Sequence, residues 1–245
     1  MPAVSFDSAR VPIRSDIAAM LPRVWARVGQ AGTWLTAEQR VAIAAETRHA
    51  VECTLCSRRK AALSPFSIEG KHDGLGQLPE AWIDVIHRVI SDPGRLAKHW
   101  FAKITEKDIS NKEYVELIGV VVTVVGIDTF CRGIGVAPPD LPTPHPGEPT
   151  HFVPEHLDTD LAWVPTLDPR FDGPLQREFY TGGPAHIRRA LTYVPDTARS
   201  FWEMANVFYM DGSQMRDFAK EYRAITHAQI ELVAGRVSAI NQCVY

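Results

Sequence analysis

Four cysteines in 245 residues are too few for a disulfide scaffold, and no excess of one charge sign is present. Twenty-six Lys and Arg face 29 Asp and Glu, a formal net charge of −3. That near balance lacks the basic footprint of a nucleic-acid binder. Long apolar runs are also missing. The longest, Leu117 to Ile127 with Gly119, Thr123 and Gly126 inside it, covers 11 residues, against the ~20 that a bilayer-spanning helix needs. No membrane partner is therefore expected. The first residues carry Asp7, Arg10, Arg14 and Asp16 without the apolar core of a secretory leader, so a cytoplasmic chain with reduced cysteines is expected. What is present, 45% hydrophobic and 22% charged residues, suits an ordinary globular protein of one large or two small domains.

Apolar spacing predicts a helix over residues 15–30, with Ile17, Met20, Leu21, Val24 and Val28 on one face. A second, long helix is predicted from Thr36 to about Leu63, where Ser64-Pro65 stops it. Pro79 leads a third, which ends at Asp92-Pro93, and a shorter one is expected from Gly94 to Ile104. Ser110-Asn111 caps a segment to Ile134. Its Val120–Val125 stretch has strand propensity, but its length and flanking Glu113, Glu116 and Asp128 favour a buried helix.

Composition then changes. Residues 137–184 hold 11 of the 18 prolines, so little regular structure is expected there. Because this stretch keeps Phe152, Leu161, Trp163, Phe171 and Phe179, it reads as an ordered connector lying across a surface. Helical patterning resumes at Ala185, with segments from Pro195 to Tyr209, Gly212 to Tyr222, and Thr226 onward. Thr36 to Cys53 aligns without gaps on Thr226 to Cys243, both 18 residues from threonine cap to cysteine. That correspondence suggests an internal duplication, although two amphipathic helices can agree by chance.

The chemistry-bearing feature is Cys53-Thr-Leu-Cys56. On a helix the two sulfurs adjoin, and Arg58, Arg59 and Lys60 supply positive charge that favours a thiolate. Such a pair can close a disulfide after attack on a peroxide or disulfide, or it can be a pair of packed small residues. Zinc would need two further ligands, and no second C-x-x-C and no H-x-x-x-H exists, so neither metal nor cofactor is expected. If the helix runs unbroken, Glu46, His49, Cys53, Cys56 and Lys60 share a sector of about 80°. A proton path from Glu46 through His49 to Cys53 would then exist, unless these residues simply form a solvated face. His72-Asp73, in the Gly70–Gly74 turn, could orient a substrate or lie in a solvated turn, and Cys131 is most simply a packed residue.

At the other end, Glu231, eleven residues, Cys243, x, Tyr245, with Arg236-Val-Ser-Ala-Ile-Asn241 between, resembles the carboxymuconolactone decarboxylase and alkylhydroperoxidase D superfamily. The resemblance covers residues 36–136 as one unit and 184–245 as the opening of a second. It implies an all-α, oligomeric fold: a first helical unit at 1–136, a proline-rich connector at 137–183, and a truncated second unit at 184–245. It further implies that Glu231 is a proton-relay glutamate and that Cys243 is the first of two motif cysteines, joining Cys53 and Cys56 as catalytic. The first unit departs from the family pattern, with Val41 in the glutamate position and Lys60 in the histidine position, and with Glu46 and His49 as substitutes. The family chain also tends to bend just before the first cysteine.

The implied activity is thiol-dependent reduction of a peroxide or disulfide, with an unidentified thiol as electron donor and a homo-oligomeric assembly. The alternative is a non-redox member of the same superfamily that binds a small acid or serves as a structural subunit. The position of Tyr245 raises the further expectation that the natural chain continues with selenocysteine in the resolving place.

Overall fold

The computed structural model describes residues 4–241 and Cys243. The chain is mostly helical, as expected, with one two-residue antiparallel β pair among the described residues. The helices are α1 (Ser15–Val28), α2 (Ala37–His49), α3 (Thr54–Ala61), α4 (Glu80–Ser91), α5 (Lys98–Lys107), α6 (Asn111–Ile134), α7 (Pro174–Phe179), α8 (His186–Arg189), α9 (Pro195–Phe208), α10 (Gly212–Arg216) and α11 (His227–Ile240). The strands β1 (Leu157–Asp158) and β2 (Thr166–Leu167) pair between α6 and α7.

Helix α6 is the centre of the bundle. A capping box opens it, the Ser110 hydroxyl accepting from the Glu113 amide while the Glu113 carboxylate accepts from the Ser110 amide. Gly135 closes it at φ 75°, a left-handed cap that costs a side-chain-bearing residue more than it costs glycine. Between these ends Leu117, Val120, Val121, Val124, Ile127 and Cys131 are buried, with α1, α2 and α9 packed around the helix. Each fully buried aliphatic side chain contributes roughly 1.5–3 kcal/mol. At 24 residues, with a mean hydropathy of 1.8 over its most apolar 18, α6 is long and apolar enough by those criteria to cross a bilayer. Half of its most apolar stretch is nevertheless buried among the other helices, and it carries Glu116 and Asp128 in ion pairs with Arg40 and Arg48. That is the pattern of a core helix, and it agrees with the buried helix expected from Ser110-Asn111 to Ile134.

The expected helix over 36–63 is broken. Helix α2 ends at His49, Ala50–Glu52 form a 3-10 turn, and Cys53 is extended at φ −68°, ψ 123°, so that α3 starts afresh at Thr54. The sequence between contains no proline or glycine, and tertiary packing overrides its helical propensity. Two other spans are shorter than expected. Residues 93–95 form a 3-10 turn with α5 beginning only at Lys98, and α10 stops at Arg216 rather than Tyr222. The proline-rich stretch carries the β pair and α7, with Leu167 and Phe179 packed under Ala198 of α9.

The two threonine caps correspond in detail. Thr36 and Thr226 each form a capping box with the glutamine three residues on, Gln39 and Gln229. Unlike α2, α11 buries only His227. Its apolar residues Val233, Val237 and Ile240 are exposed, and Ile230 is half-buried.

Candidate functional site

Cys53 sits at the N-cap of α3 and Cys56 one turn inside it. The loop that follows α3 returns over this helix end. There the Asp73 carboxylate accepts hydrogen bonds from the Thr54 amide (2.8 Å) and hydroxyl (2.7 Å), capping the helix from outside. Its neighbour His72 thereby points inward, onto the sulfurs. His72 Nδ1 lies 3.6 Å from Cys53 Sγ and 3.4 Å from Cys56 Sγ. From the other side α4 brings His87, whose Nδ1 is 3.5 Å from Cys56 Sγ. The four residues are only 0–8% exposed, and their ligand atoms lie within 4.8 Å of one another. All four cysteines of the chain are free thiols.

Each imidazole is held from behind by a carboxylate. His87 Nε2 is 2.7 Å from Glu46 Oε1, and Glu46 Oε2 accepts from the Leu75 amide at 3.0 Å. His72 Nε2 is 2.8 Å from Asp84 Oδ1. Asp84 is a hub, accepting also from Arg59, Arg88 and Trp100 Nε1. Arg59 Nη1 lies 2.9 Å from His72 Nε2 as well, so that nitrogen either donates to Asp84 or accepts from Arg59.

Electrostatics follow from this wiring. Burial alone would lower the His72 pKa, but the Asp84 carboxylate and the two cysteines raise it to about 10. Burial would raise Asp84, yet its bonds to His72 and Trp100 and the charge of Arg88 hold it below the usual carboxylate range. His87 is pushed down by its burial, against the pull of Glu46, and the charge of His72 adds to that push. For the Cys53 thiol, burial opposes ionisation, but the backbone amides of Cys56 and Asp73 and the His72 side chain more than offset it, and its pKa is lowered.

Expectation and structure differ in detail here. Cys53, Cys56 and Glu46 do come together, but Glu46 reaches the sulfurs through His87 and not through His49. The break at Ala50 removes the common helical sector, and among the described residues no hydrogen bond joins His49 to Glu46 or Cys53. Of the three basic residues near Cys56, only Arg59 turns inward, while Arg58 and Lys60 are exposed. His72 and Asp73, read as a turn, are a buried contact and a helix cap. The expectation that metal ligands are lacking rested on local spacing; Cys53, Cys56, His72 and His87 are the residues that could hold a metal ion. His87 was missed altogether, since on α4 it reads as one polar residue among Trp82, Val85, Ile86 and Val89.

The other cysteines lie elsewhere. Cys131 is fully buried in the α6 core, where burial and Asp128 push its thiol up. Cys243 is exposed, and Glu231 accepts from Tyr209 Oη at 2.5 Å with His227 Nε2 at 3.5 Å. Eleven residues of largely helical chain separate Glu231 from Cys243, on the order of 15 Å. No contact joins either residue to the Cys53 cluster among the described residues. Tyr245, the last residue of the C-terminal motif, lies outside them. Comparison of the chain with protein-family models, curated proteins and solved structures finds no match.

Proposed function

We propose that the Cys53–Cys56 pair is a thiol redox centre that reduces a small hydroperoxide. The observation that carries this reading is the position of Cys56, whose sulfur lies between two imidazoles, one of them backed by the buried carboxylate of Glu46. In the first step the Cys56 thiolate attacks the near peroxide oxygen, the O–O bond breaks, and the alcohol or water leaves with a proton supplied through His72 or His87. Cys56 is now a sulfenic acid. In the second step the Cys53 thiolate attacks that sulfur, a disulfide forms and water departs. Two electrons pass from the two thiols to the peroxide, and an external dithiol returns them.

Exposure of 2% and 3% at the two cysteines restricts the substrate by size. A hydroperoxide is small enough to reach the sulfurs when the loop that carries His72 and Asp73 opens, whereas a protein disulfide is not. The test is to titrate the reduced protein with hydrogen peroxide and follow thiol count and peptide mass. The expected result is one Cys53–Cys56 disulfide per chain, with Cys53→Ser stopping at a trappable sulfenic acid on Cys56. Oxidation of Cys243 alone, with both buried thiols intact, overturns the reading.

A second reading, binding of a small acid without redox chemistry, is favoured by a separate cavity of about 500 Å³ between α1, α6 and α9. Its lining includes Arg27, Arg40 and Arg199, each paired with a carboxylate, together with Glu116, Asp196 and Glu203, and the buried Thr33 hydroxyl among them has no hydrogen-bond partner. A small carboxylate that raises the melting temperature of the Cys53→Ser, Cys56→Ser double variant as much as that of the parent supports this reading.

A further inference from the structure

We propose that Cys53, Cys56, His72 and His87 form a tetrahedral zinc site, so that bound Zn²⁺ and the Cys53–Cys56 disulfide exclude one another. The metal site stands on the ligand geometry alone; only the mutual exclusion rests on the redox reading above.

The geometry points to a cation and not merely to thiol–imidazole hydrogen bonds. Glu46 is a carboxylate facing His87 Nε2, which fixes the N–H there and leaves a lone pair on Nδ1, aimed at Cys56. At His72, whose Nε2 faces Asp84, a cation would take the place of the Nδ1 proton on the edge that faces both sulfurs at once. Two imidazole nitrogens and two sulfurs therefore converge on one buried point, a set of four ligand atoms whose protons a cation can displace.

Size agrees as well. Zinc–sulfur bonds near 2.3 Å and zinc–nitrogen bonds near 2.0–2.1 Å in a tetrahedron require sulfur–nitrogen edges of about 3.5 Å. The three edges seen here measure 3.6, 3.4 and 3.5 Å. Behind the ligands, Asp84 and Glu46 supply the carboxylate supports that orient metal-bound histidines. Two thiolates neutralise a divalent cation, so the buried centre gains no net charge. Soft sulfur with imidazole selects zinc over calcium or magnesium, and four protein ligands leave no open position, which marks a closed, structural site. Its spacing, C-x2-C-x15-H-x14-H, lacks the tight second pair by which such sites are read from sequence.

Zinc here would tie the start of α3, the loop after it and α4 into one unit. It would also mask the sulfurs. Oxidation by a hydroperoxide removes two electrons from the two thiolates, forms the S–S bond, takes up two protons to give water and an alcohol (or a second water), and leaves two histidines that cannot retain the ion. Metal loss and disulfide formation are then one event.

The test uses the full chain, purified reduced and stripped of metal, with Zn²⁺ and Co²⁺ as probes. One equivalent of zinc per chain is expected, together with a cobalt spectrum showing tetrahedral ligand-field bands and thiolate-to-metal charge transfer. Cys56→Ser should weaken zinc binding at least 100-fold. Asp84→Asn, which leaves all four ligands in place, should weaken it about 10- to 100-fold. Circular dichroism of each metal-free variant establishes that it is folded. Stepwise hydrogen peroxide should then release zinc in proportion to the disulfide formed.

A folded, reduced protein that binds no zinc overturns the proposal, and if peroxide still closes the disulfide the redox reading stands without it. Zinc that survives disulfide formation, or that is bound equally by the Cys53→Ser, Cys56→Ser double variant, also overturns it. Stoichiometric zinc on thiols that peroxide never oxidises supports the site and overturns the redox reading instead.

Discussion

Glu46 and His87 form a carboxylate–imidazole pair with no solvent on either partner, Oε1 and Nε2 standing 2.7 Å apart in the cleft between α2 and α4. Removing one member of such a pair strands the other in a medium that solvates it poorly. Glu46→Ala should therefore cost about 1–3 kcal/mol in urea unfolding, since it leaves the His87 N–H and the Leu75 amide without their acceptor. Glu46→Gln keeps the shape, and its expected signature is functional: alkylation of Cys56 should change in rate while the fold is retained. An unchanged rate would remove Glu46 from the relay.

Glu203 of α9 is held by Arg23 (2.9 Å) and Arg27 of α1. Burial would raise its pKa, but bonds from Arg27 and Arg23 more than reverse this, so the folded value lies below the unfolded one. The sign follows by linkage. The stabilisation is complete above the unfolded value, about 4.3, and is lost as pH falls through the folded value. Glu203→Gln should flatten the acid limb of a stability-against-pH curve. With both arginines well exposed, the difference at neutral pH should stay below about 1 kcal/mol. Parallel curves for parent and variant would show that the bridge is energetically silent.

Gly119 is where α6 meets α9, and a Cβ there would stand 2.0 Å from Thr197 Cγ2. Gly119→Ala should destabilise the fold by roughly 1–3 kcal/mol through overpacking. The double change with Thr197→Ser, which removes the clashing methyl group, should recover most of that loss. Failure of the second change to rescue would locate the strain elsewhere.

Cys131 touches no titratable partner of the redox pair. Cys131→Ala should lower stability by about 1 kcal/mol through lost packing and leave peroxide oxidation of Cys53 and Cys56 unchanged. Slower oxidation in that variant would count against a role confined to the core.

Helices with strong local signals were legible from the chain alone: the apolar stripe of α1, the proline start of α4, and the capping residues Thr36, Ser110 and Thr226. The cysteine pair was legible too. Its surroundings were not, because they depend on contacts that no local pattern encodes. The turn at Ala50–Glu52 arises where packing outweighs propensity, and it moves Cys53 off the helix that carries Glu46. His72 and His87 lie 16 and 31 positions after Cys56 and meet it only once the loop has folded back over α3. The resemblance at Glu231 and Cys243 concerns a helix that meets neither of them.

Adjacent residues 72 and 73 grip α3 by opposite ends of one peptide unit, one through its cap and the other through its sulfurs. Neither hold can slacken alone, so solvent reaches the thiols only when the loop lifts away as a whole. Access to the pair is thus governed by a gate with a single hinge state, and the labelling rates of Cys53 and Cys56 should rise and fall together under denaturant, in step with the backbone amide exchange of Thr54.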